Sequence, residues 1–263
     1  MNISDKKRIV VKIGTSTLTH STGMLNIRST ERLIKVLSDL KNSGKEVILV
    51  SSGAIGVGCG KLGLASKPKD TPSKQAIAAI GQCELMYFYD RQFANYNHTV
   101  AQVLMTKDIV ENESRRINCQ NTLTKLLNIG VIPVINENDT VAVDELEFGD
   151  NDTLSAIVAS IVNADLLIIL SDIDGLYDKD PHSCEDSKLI ETVENIDDTI
   201  ISLAQGAGSK LGTGGMITKI HAAQIASKSG IDMVIMNGRK PKLMYDLFDG
   251  KAVGTLFKCK NKE

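Results

Sequence analysis

The sequence predicts a three-layer α/β/α fold with a mainly parallel central sheet. Short runs of Val, Ile and Leu alternate with helix-like stretches from one end of the chain to the other. These runs are almost continuously apolar, which is typical of parallel strands that helices cover on both faces. No Pro/Gly/Ser-rich linker divides the 263 residues, so we expect a single domain over residues 1–263.

The first half of the chain alternates predicted strands and helices. Residues 8–13 (RIVVKI) form the first strand, and an amphipathic helix follows with Leu33, Leu37 and Leu40 on one face. Gly44 is the stop signal of that helix. The next predicted elements are a strand at 46–50, a helix over about 73–96, a strand at 99–105, a helix at 113–128 and a strand at 131–135.

The second half continues the alternation. Its predicted elements are a hairpin over 141–150, a helix at 151–163, a strand at 165–170, a helix over about 215–229, a strand at 232–236 and a last strand at 254–257. The stretch 178–198 is rich in acidic residues. We interpret it as a solvated excursion over one edge of the sheet.

The composition excludes several classes of protein. The chain has 30 Lys and Arg against 32 Asp and Glu, a formal net charge of −2. A surface built for nucleic acid needs an excess of basic residues. No apolar run approaches the ~18 residues of a membrane span, and none follows the polar N-terminus as a signal peptide would require. Five cysteines without a CxxC pair indicate reduced thiols, no zinc site and a cytoplasmic location.

The first motif that suggests chemistry is VVKIGTS, residues 10–16. In an open α/β sheet, ligands bind outside the carboxyl ends of the strands. Lys12 lies within an apolar strand, where its charge is costly to bury without a partner. Gly14 and the two hydroxyl residues after it suit an anion such as phosphate. An edge lysine that reaches solvent is the alternative.

The second motif is VSSGAIGVGCGKLG, residues 50–63. Ser52 and Gly53 follow a buried strand and open a helix, whose free backbone N–H groups can bind an anion. A G-x-G-x-x-G pattern starts at Gly58, several residues after the strand, so a dinucleotide site and a nicotinamide-dependent dehydrogenase are disfavoured. A Walker A motif is absent, because Leu62 follows the Gly-Lys pair.

The third motif combines NEND (136–139) with GDND (149–152), in which carboxylates and amides are concentrated. A structural interpretation assigns them to turns and to a helix cap at Asp150 or Asn151. A functional interpretation has the carboxylates hold lysines, an ammonium group or Mg²⁺ while the amides orient a small polar substrate. We favour the functional interpretation because capping does not explain the density of polar groups.

The fourth motif combines SDIDGLY (171–177) with GTGGMITK (212–219). Ser171 and Asp172 end a buried strand, where a nucleotide could bind. The glycines permit close approach of the backbone to phosphates, and Lys219 could reach a transferring phosphoryl group. A hinge loop is the alternative.

Together with the closing VGTLF (253–257), these motifs resemble the amino acid kinase family over about 10–257, and most closely its branch that phosphorylates glutamate. The resemblance implies ATP and Mg²⁺ as cofactors, with an acceptor site in the N-terminal part and a nucleotide site from about residue 165. It also implies the first step of proline biosynthesis, inhibition by proline, and a homodimer or homotetramer. Neither nucleic acid nor a membrane is an expected partner.

The resemblance assigns roles to individual residues. Lys12 and Lys219 would flank the transferring phosphoryl group, and Asp152 would orient both lysines. Three residues would hold the glutamate: Ser52, Asp139 and Asn151. Two backbone N–H groups would lie near the phosphates: those of Gly14 and Gly53. The predicted nucleotide-binding residues are Lys12, Ser171, Asp172, Thr213, Gly214, Gly215, Met216, Ile217, Thr218 and Lys219.

The chain departs from the family pattern at two points. Many relatives carry Thr where this chain has Ser171, which keeps the hydroxyl. Many also continue into a C-terminal RNA-binding-like (PUA) domain, whereas this chain stops soon after GTLF. We therefore expect the short form without that domain.

Other acceptors and one other class stay open at this point. Family members acting on aspartate, acetylglutamate, carbamate or UMP are the nearest alternatives, and a non-catalytic nucleotide-binding regulator is a further one. A carboxylate acceptor is already ionised at pH 7, since its reference pKa is ~4.3. No catalytic base is required, and we assign no chemistry to the histidines at 20, 98, 182 and 221.

Overall fold

A computed structural model of the protein describes residues 3–106, 108–141, 151–181, 183–206 and 215–259. The fold is α/β with an eight-stranded, mostly parallel sheet, which confirms the predicted fold class. The chain divides into two compact units, one of Met1–Lys12 with Gly149–Glu263 and one of Ile13–Phe148. The single domain expected over 1–263 stays a prediction.

The strands and helices alternate through the described residues. The strands are β1 (Arg8–Ile13), β2 (Glu46–Ser51), β3 (Val100–Met105), β4 (Ile132–Glu137), β5 (Leu166–Ser171), β6 (Thr192–Val193), β7 (Asp232–Asn237) and β8 (Thr255–Phe257). The helices are α1 (Thr15–Leu18), α2 (Ile27–Asn42), α3 (Ala54–Lys61), α4 (Thr71–Ala94), α5 (Asp108–Glu111), α6 (Glu113–Asn128), α7 (Asn151–Ile161), α8 (Asp198–Gly206), α9 (Met216–Lys228) and α10 (Leu243–Phe248).

In the unit Ile13–Phe148, the strand order is β3-β4-β2 and all three strands are parallel. Leu49 of β2 lies opposite Val134 of β4, so both strands end at the same edge. Helix α2 buries its apolar face, as predicted, and Gly44 follows its C-terminus with a φ of +92°. Glycine adopts this left-handed conformation without the steric cost that a Cβ would add.

Helices α3 and α4 approach closely in this unit, and Gly81 is the contact point. A Cβ at Gly81 would lie 1.8 Å from the carbonyl oxygen of Ala54 and 2.6 Å from the backbone nitrogen of Gly58. We expect Gly81→Ala to lower the free energy of unfolding by about 1–3 kcal/mol, because the two backbones must separate. Urea denaturation at pH 7 measures this. Ala79→Ser, on the exposed face of α4, is the control and should change stability by less than about 0.5 kcal/mol.

In the other unit, the strand order is β1-β5-β7-β8-β6. Strands β5 and β7 are parallel, with Ser171 opposite Asn237, whereas β8 runs antiparallel to β7. The short strand β6 lies in the acidic stretch 178–198 and comes last in this order, consistent with an excursion at an edge. Helices α7 and α9 pack against each other. This packing positions the residues of the candidate site.

The observed boundaries differ from the predicted ones by a few residues. Helix α4 begins two residues earlier than expected, and α7 ends at Ile161 instead of residue 163. Apart from Val141, the predicted hairpin over 141–150 lies outside the described residues. Among the helices that the structure describes, none combines the length and apolar character that crossing a membrane requires.

Candidate active site

A buried carboxylate, Asp152, lies between two lysines. Its side chain is fully buried, with Oδ1 2.7 Å from Nζ of Lys12 and Oδ2 3.1 Å from Nζ of Lys219. The lysine side chains are only 7% and 8% exposed. The structure therefore brings together the three residues that the resemblance assigned to catalysis. The alternative in which Lys12 is an edge lysine reaching solvent is wrong, because Asp152 supplies the partner that its buried charge requires.

Three elements of one unit position this Lys12–Asp152–Lys219 cluster. Lys12 is the last residue but one of β1, Asp152 lies in the first turn of α7, and Lys219 lies in the first turns of α9. A carboxylate in the first turn of a helix is also favoured by the helix dipole. Because α7 packs on α9, the positions of Asp152 and Lys219 follow from helix packing.

Two lysines determine the ionisation of Asp152. Burial by itself raises the pKa of the Asp152 carboxyl, but the nearby ammonium groups of Lys12 and Lys219 outweigh burial and hold that pKa well below its usual range. The carboxylate is therefore ionised at neutral pH. Two ammonium groups flank this one carboxylate, and such groups suit a phosphate or a transferring phosphoryl group.

Thr218 also contacts the carboxylate. Its Oγ1 lies 2.9 Å from Oδ2 of Asp152 and 2.8 Å from the carbonyl oxygen of Gly215. The resemblance assigned Thr218 only to nucleotide binding, so this contact was not anticipated. The local sequence has no signal for it, because the two partners are 66 residues apart.

The predicted nucleotide residues Ser171 and Asp172 lie at the carboxyl end of β5. Ser171 is buried and its hydroxyl donates to Oδ1 of Asp172 at 3.2 Å. Beside them, the amide of Asn237 donates to Oδ1 of Asp174 at 2.8 Å, and Nζ of Lys240 lies 3.2 Å from the same oxygen. The Asn237 hydrogen bond and Lys240 together lower the pKa of Asp174. Sequence reasoning missed these polar groups, although NGRK directly after a predicted strand was an available signal.

The remaining predicted nucleotide residues lie at the start of α9. Gly215 precedes the helix with extended backbone, Met216 is buried and Ile217 is 41% exposed. Thr213 and Gly214 lie outside the described residues. That these residues bind a nucleotide stays a prediction.

The predicted acceptor residues are divided between the two units. Ser52 and Asp139 belong to the unit Ile13–Phe148 and Asn151 to the other. Val50 and Ile135 are register partners in the adjacent parallel strands β2 and β4. Ser52 and Asp139 thus follow two strand ends at the same edge. Asn151 is the first residue of α7, next to Asp152. Their joint binding of one substrate stays a prediction.

The two predicted phosphate-contacting glycines each precede a helix. Gly14 caps α1 and Gly53 caps α3. Gly53 has a φ of +98°, a conformation that strongly favours glycine. The turn after β2 therefore requires the glycine that the motif VSSG supplies, whereas the proposed N–H contacts to phosphate stay predictions.

Helix α4 supports the ends of β2 and β4 through two side chains that sequence reasoning missed. The hydroxyl of Tyr89 lies 2.8 Å from Oγ of Ser51, and both residues are buried. Oε1 of Gln82 accepts a hydrogen bond of 2.8 Å from Nδ2 of Asn136, the polar residue that begins NEND. Both contacts fix the strand ends from which the predicted acceptor residues emerge.

We expect Tyr89→Phe to lower the free energy of unfolding by about 1 kcal/mol, because it removes a buried hydrogen bond to Ser51 without removing the ring. Thermal or urea denaturation measures the change. Tyr87→Phe is the matched control, since Tyr87 lies on the same helix with 57% of its surface exposed. Equal stability of the two variants would contradict the role given to the buried hydroxyl.

The described residues contain no group of three His, Cys, Asp or Glu side chains that could hold a metal ion. Mg²⁺ is commonly bound through one or two carboxylates plus the phosphates of a substrate and water. That Mg²⁺ binds here together with nucleotide phosphates stays a prediction.

Comparison with known sequences decides the family. Residues 7–237 match the sequence pattern of the amino acid kinase family. The chain belongs to the amino acid kinase family. Among curated amino acid kinases, the chain is 54% identical to the glutamate 5-kinase of Clostridium perfringens over 99% of this chain and 98% of that one. It is 50% identical to the glutamate 5-kinase of Listeria innocua over 100% of this chain and 96% of that one.

Solved structures share the amino acid kinase fold. The carbamate kinase from Giardia lamblia bound to AMP-PNP has a TM-score of 0.70 and 16% identity, and the match covers 98% of this chain and 100% of that one. The isopentenyl phosphate kinase of T. acidophilum has a TM-score of 0.66 and 18% identity, over 96% and 100% of the two chains. At these identities the likeness shows the fold alone.

Proposed function

We propose that this chain transfers the γ-phosphoryl group of ATP to the side-chain carboxylate of L-glutamate and forms L-glutamyl 5-phosphate and ADP. This is the activity named by its relatives at 50–54% identity. The phosphoryl-transfer part is supported by the buried Lys12–Asp152–Lys219 cluster, in which one carboxylate holds two ammonium groups. The acceptor is taken from the relatives' name.

The proposed step is a direct in-line displacement. A glutamate carboxylate oxygen forms a bond to the γ-phosphorus while the bond from that phosphorus to the leaving oxygen of ADP breaks. Lys12 and Lys219 neutralise charge on the transferring group, and Asp152 fixes where their ammonium groups point. The acceptor is ionised at neutral pH, with a reference pKa of ~4.3, so no side chain needs to remove a proton. Mg²⁺ bound to the nucleotide phosphates would supply further charge neutralisation.

The substrate contacts follow the predicted residues. Asp139 has the charge to bind the ammonium group of glutamate, while Ser52 and Asn151 would donate to its carboxylates. The backbone N–H groups of Gly14 and Gly53 would lie near the phosphates. The nucleotide would be held by Ser171 and Asp172 together with residues 213–219.

Several broader properties are proposed with this activity. The reaction would be the first step of proline biosynthesis in the cytoplasm, with proline as a feedback inhibitor. The assembly would be a homodimer or homotetramer. A net charge of −2 supports the absence of a nucleic-acid partner.

The experiment that tests the proposal traps the acyl phosphate. The purified protein is incubated with Mg-ATP and hydroxylamine, and separate reactions contain glutamate, aspartate, N-acetylglutamate or no acceptor. Hydroxylamine converts an acyl phosphate to a stable hydroxamate, so the assay reports the chemistry and not merely loss of ATP. We expect hydroxamate with glutamate alone. Hydroxamate with a different acid would contradict the proposed acceptor, and no hydroxamate despite ATP binding would contradict the reaction and favour a non-catalytic regulator.

A further inference from the structure

The Thr218 hydroxyl lies within hydrogen-bond distance of two acceptors. Oδ2 of Asp152 is 2.9 Å away and the carbonyl oxygen of Gly215 is 2.8 Å away. A threonine hydroxyl carries one proton, so it can donate to only one of these oxygens at a time. Both acceptors are in reach without any change of side-chain rotamer. Rotation of the O–H bond alone moves the donor from the carbonyl to the carboxylate.

Thr218 shares its carboxylate oxygen with Lys219. Nζ of Lys219 lies 3.1 Å from Oδ2, while Lys12 contacts the other oxygen. If Lys219 neutralises the transferring phosphoryl group, its three N–H donors are shared between that group and Oδ2, so Oδ2 receives less from Lys219. A fully buried carboxylate oxygen that loses a donor is costly. A second donor at the same oxygen removes that cost.

We propose that Thr218 is a positioning residue whose hydroxyl holds Oδ2 of Asp152, so that this carboxylate keeps Lys219 in place while Lys219 donates to the transferring phosphoryl group. This inference rests on the proposed function and extends it. It differs from the nucleotide-binding role predicted for Thr218, because the hydroxyl then acts through Asp152 and not on ATP. Its contribution is largest in the transition state, so its loss lowers kcat and leaves the KM for ATP unchanged.

The kinetic test compares Thr218→Val with Thr218→Ser. Valine keeps the shape and removes the hydroxyl, and we expect kcat to fall roughly tenfold or more through misplaced lysines, with the KM for ATP constant within about twofold. Serine keeps the hydroxyl and should restore most of kcat. Thr153→Val is the control that keeps wild-type kcat, because the Thr153 hydroxyl lies near Nδ1 of His221 at 3.4 Å. A raised KM for ATP with normal kcat would make Thr218 a nucleotide ligand and overturn the inference.

Acid unfolding provides a second readout that does not depend on any substrate. Lys12, Lys219 and the Thr218 hydroxyl all contact the carboxylate of Asp152. Loss of the hydroxyl should raise the pKa of Asp152 and move the acid-unfolding midpoint to higher pH, in Thr218→Val but not in Thr153→Val. Identical acid-unfolding midpoints for Thr218→Val and wild type would show that the hydroxyl does not hold the carboxylate, whichever substrate receives the phosphoryl group. If the wild-type protein forms no hydroxamate but Thr218→Val still shifts the acid-unfolding midpoint, the proposed function is overturned. The contact between Thr218 and Asp152 is then still supported.

Discussion

Replacing either Lys12 or Lys219 with alanine is expected to lower kcat by about 10²-fold or more, because we propose that each lysine neutralises charge on the transferring phosphoryl group. Folding should be affected much less. With one lysine removed, Asp152 still has the other as its partner, at 2.7 or 3.1 Å, so no buried charge is left alone. The loss is therefore expected in kcat more than in the midpoint of thermal unfolding.

Steady-state kinetics with the hydroxamate assay measures this effect, and thermal unfolding of each variant confirms that it is folded. Lys251→Ala is the matched control, since Lys251 forms an exposed ion pair with Asp246 and lies outside the predicted site. We expect it to retain wild-type kcat. Near-normal kcat in both Lys12→Ala and Lys219→Ala would contradict the assigned roles.

Replacing Asp152 with asparagine is expected to destabilise the protein by about 3–5 kcal/mol at pH 7, because two buried lysines lose their shared counter-charge. Both side chains are less than a tenth exposed, so water cannot take over from the carboxylate. The same change should abolish activity, since the ammonium groups would repel each other out of alignment. Asp152 thus differs from the lysines in that its loss impairs folding and catalysis together.

The destabilisation caused by Asp152→Asn should depend on pH. The folded-state pKa of Asp152 lies below the ordinary value of 3.8, so its ionised form stabilises the folded state at every pH above that value. As the pH falls below about 4 toward the lower folded-state pKa, that contribution is lost. The stability difference between wild type and Asp152→Asn should therefore be largest at neutral pH and shrink in acid.

Urea denaturation at a series of pH values between neutrality and pH 3 measures the stability difference between wild type and Asp152→Asn. Asp186→Asn is the control, because Asp186 is 76% exposed in a surface ion pair with Lys179 and should change stability by at most about 1 kcal/mol at any pH. An Asp152→Asn variant as stable as wild type at pH 7 would show that the cluster does not need the carboxylate for its charge balance.

Much of the fold could be predicted because its strands are short, apolar and separated by amphipathic helices. The buried strand β5 has the sequence LLIILS, and Gly44 follows the C-terminus of α2. Both are local signals. Strand β6 has only two residues and lies in an acidic stretch, so its sequence carries no strand pattern. The predicted and observed boundaries differ by a few residues because helix ends fray, so local sequence does not fix the terminal residue.

The Lys12–Asp152–Lys219 cluster could be predicted in part for a physical reason. A charge inside the apolar strand β1 requires a partner, and that requirement singles out Lys12 from the order of residues alone. The identity of the partner, Asp152, came from the family pattern. Contacts such as Thr218 with Asp152 or Tyr89 with Ser51 join residues far apart in sequence. They depend on how helices pack, which no local pattern encodes.

Oxygen labelling distinguishes attack on the γ-phosphorus of ATP by a glutamate carboxylate oxygen from attack by water. Glutamate carrying ¹⁸O in its side-chain carboxylate is incubated with the protein, Mg-ATP and hydroxylamine, and the phosphate released is examined by mass spectrometry. Hydroxylamine attacks the acyl carbon and expels phosphate with the bridging oxygen, so we expect phosphate that carries a single ¹⁸O and forms in step with hydroxamate. Unlabelled phosphate would mean that water, and not glutamate, attacks ATP, and would contradict the proposed reaction.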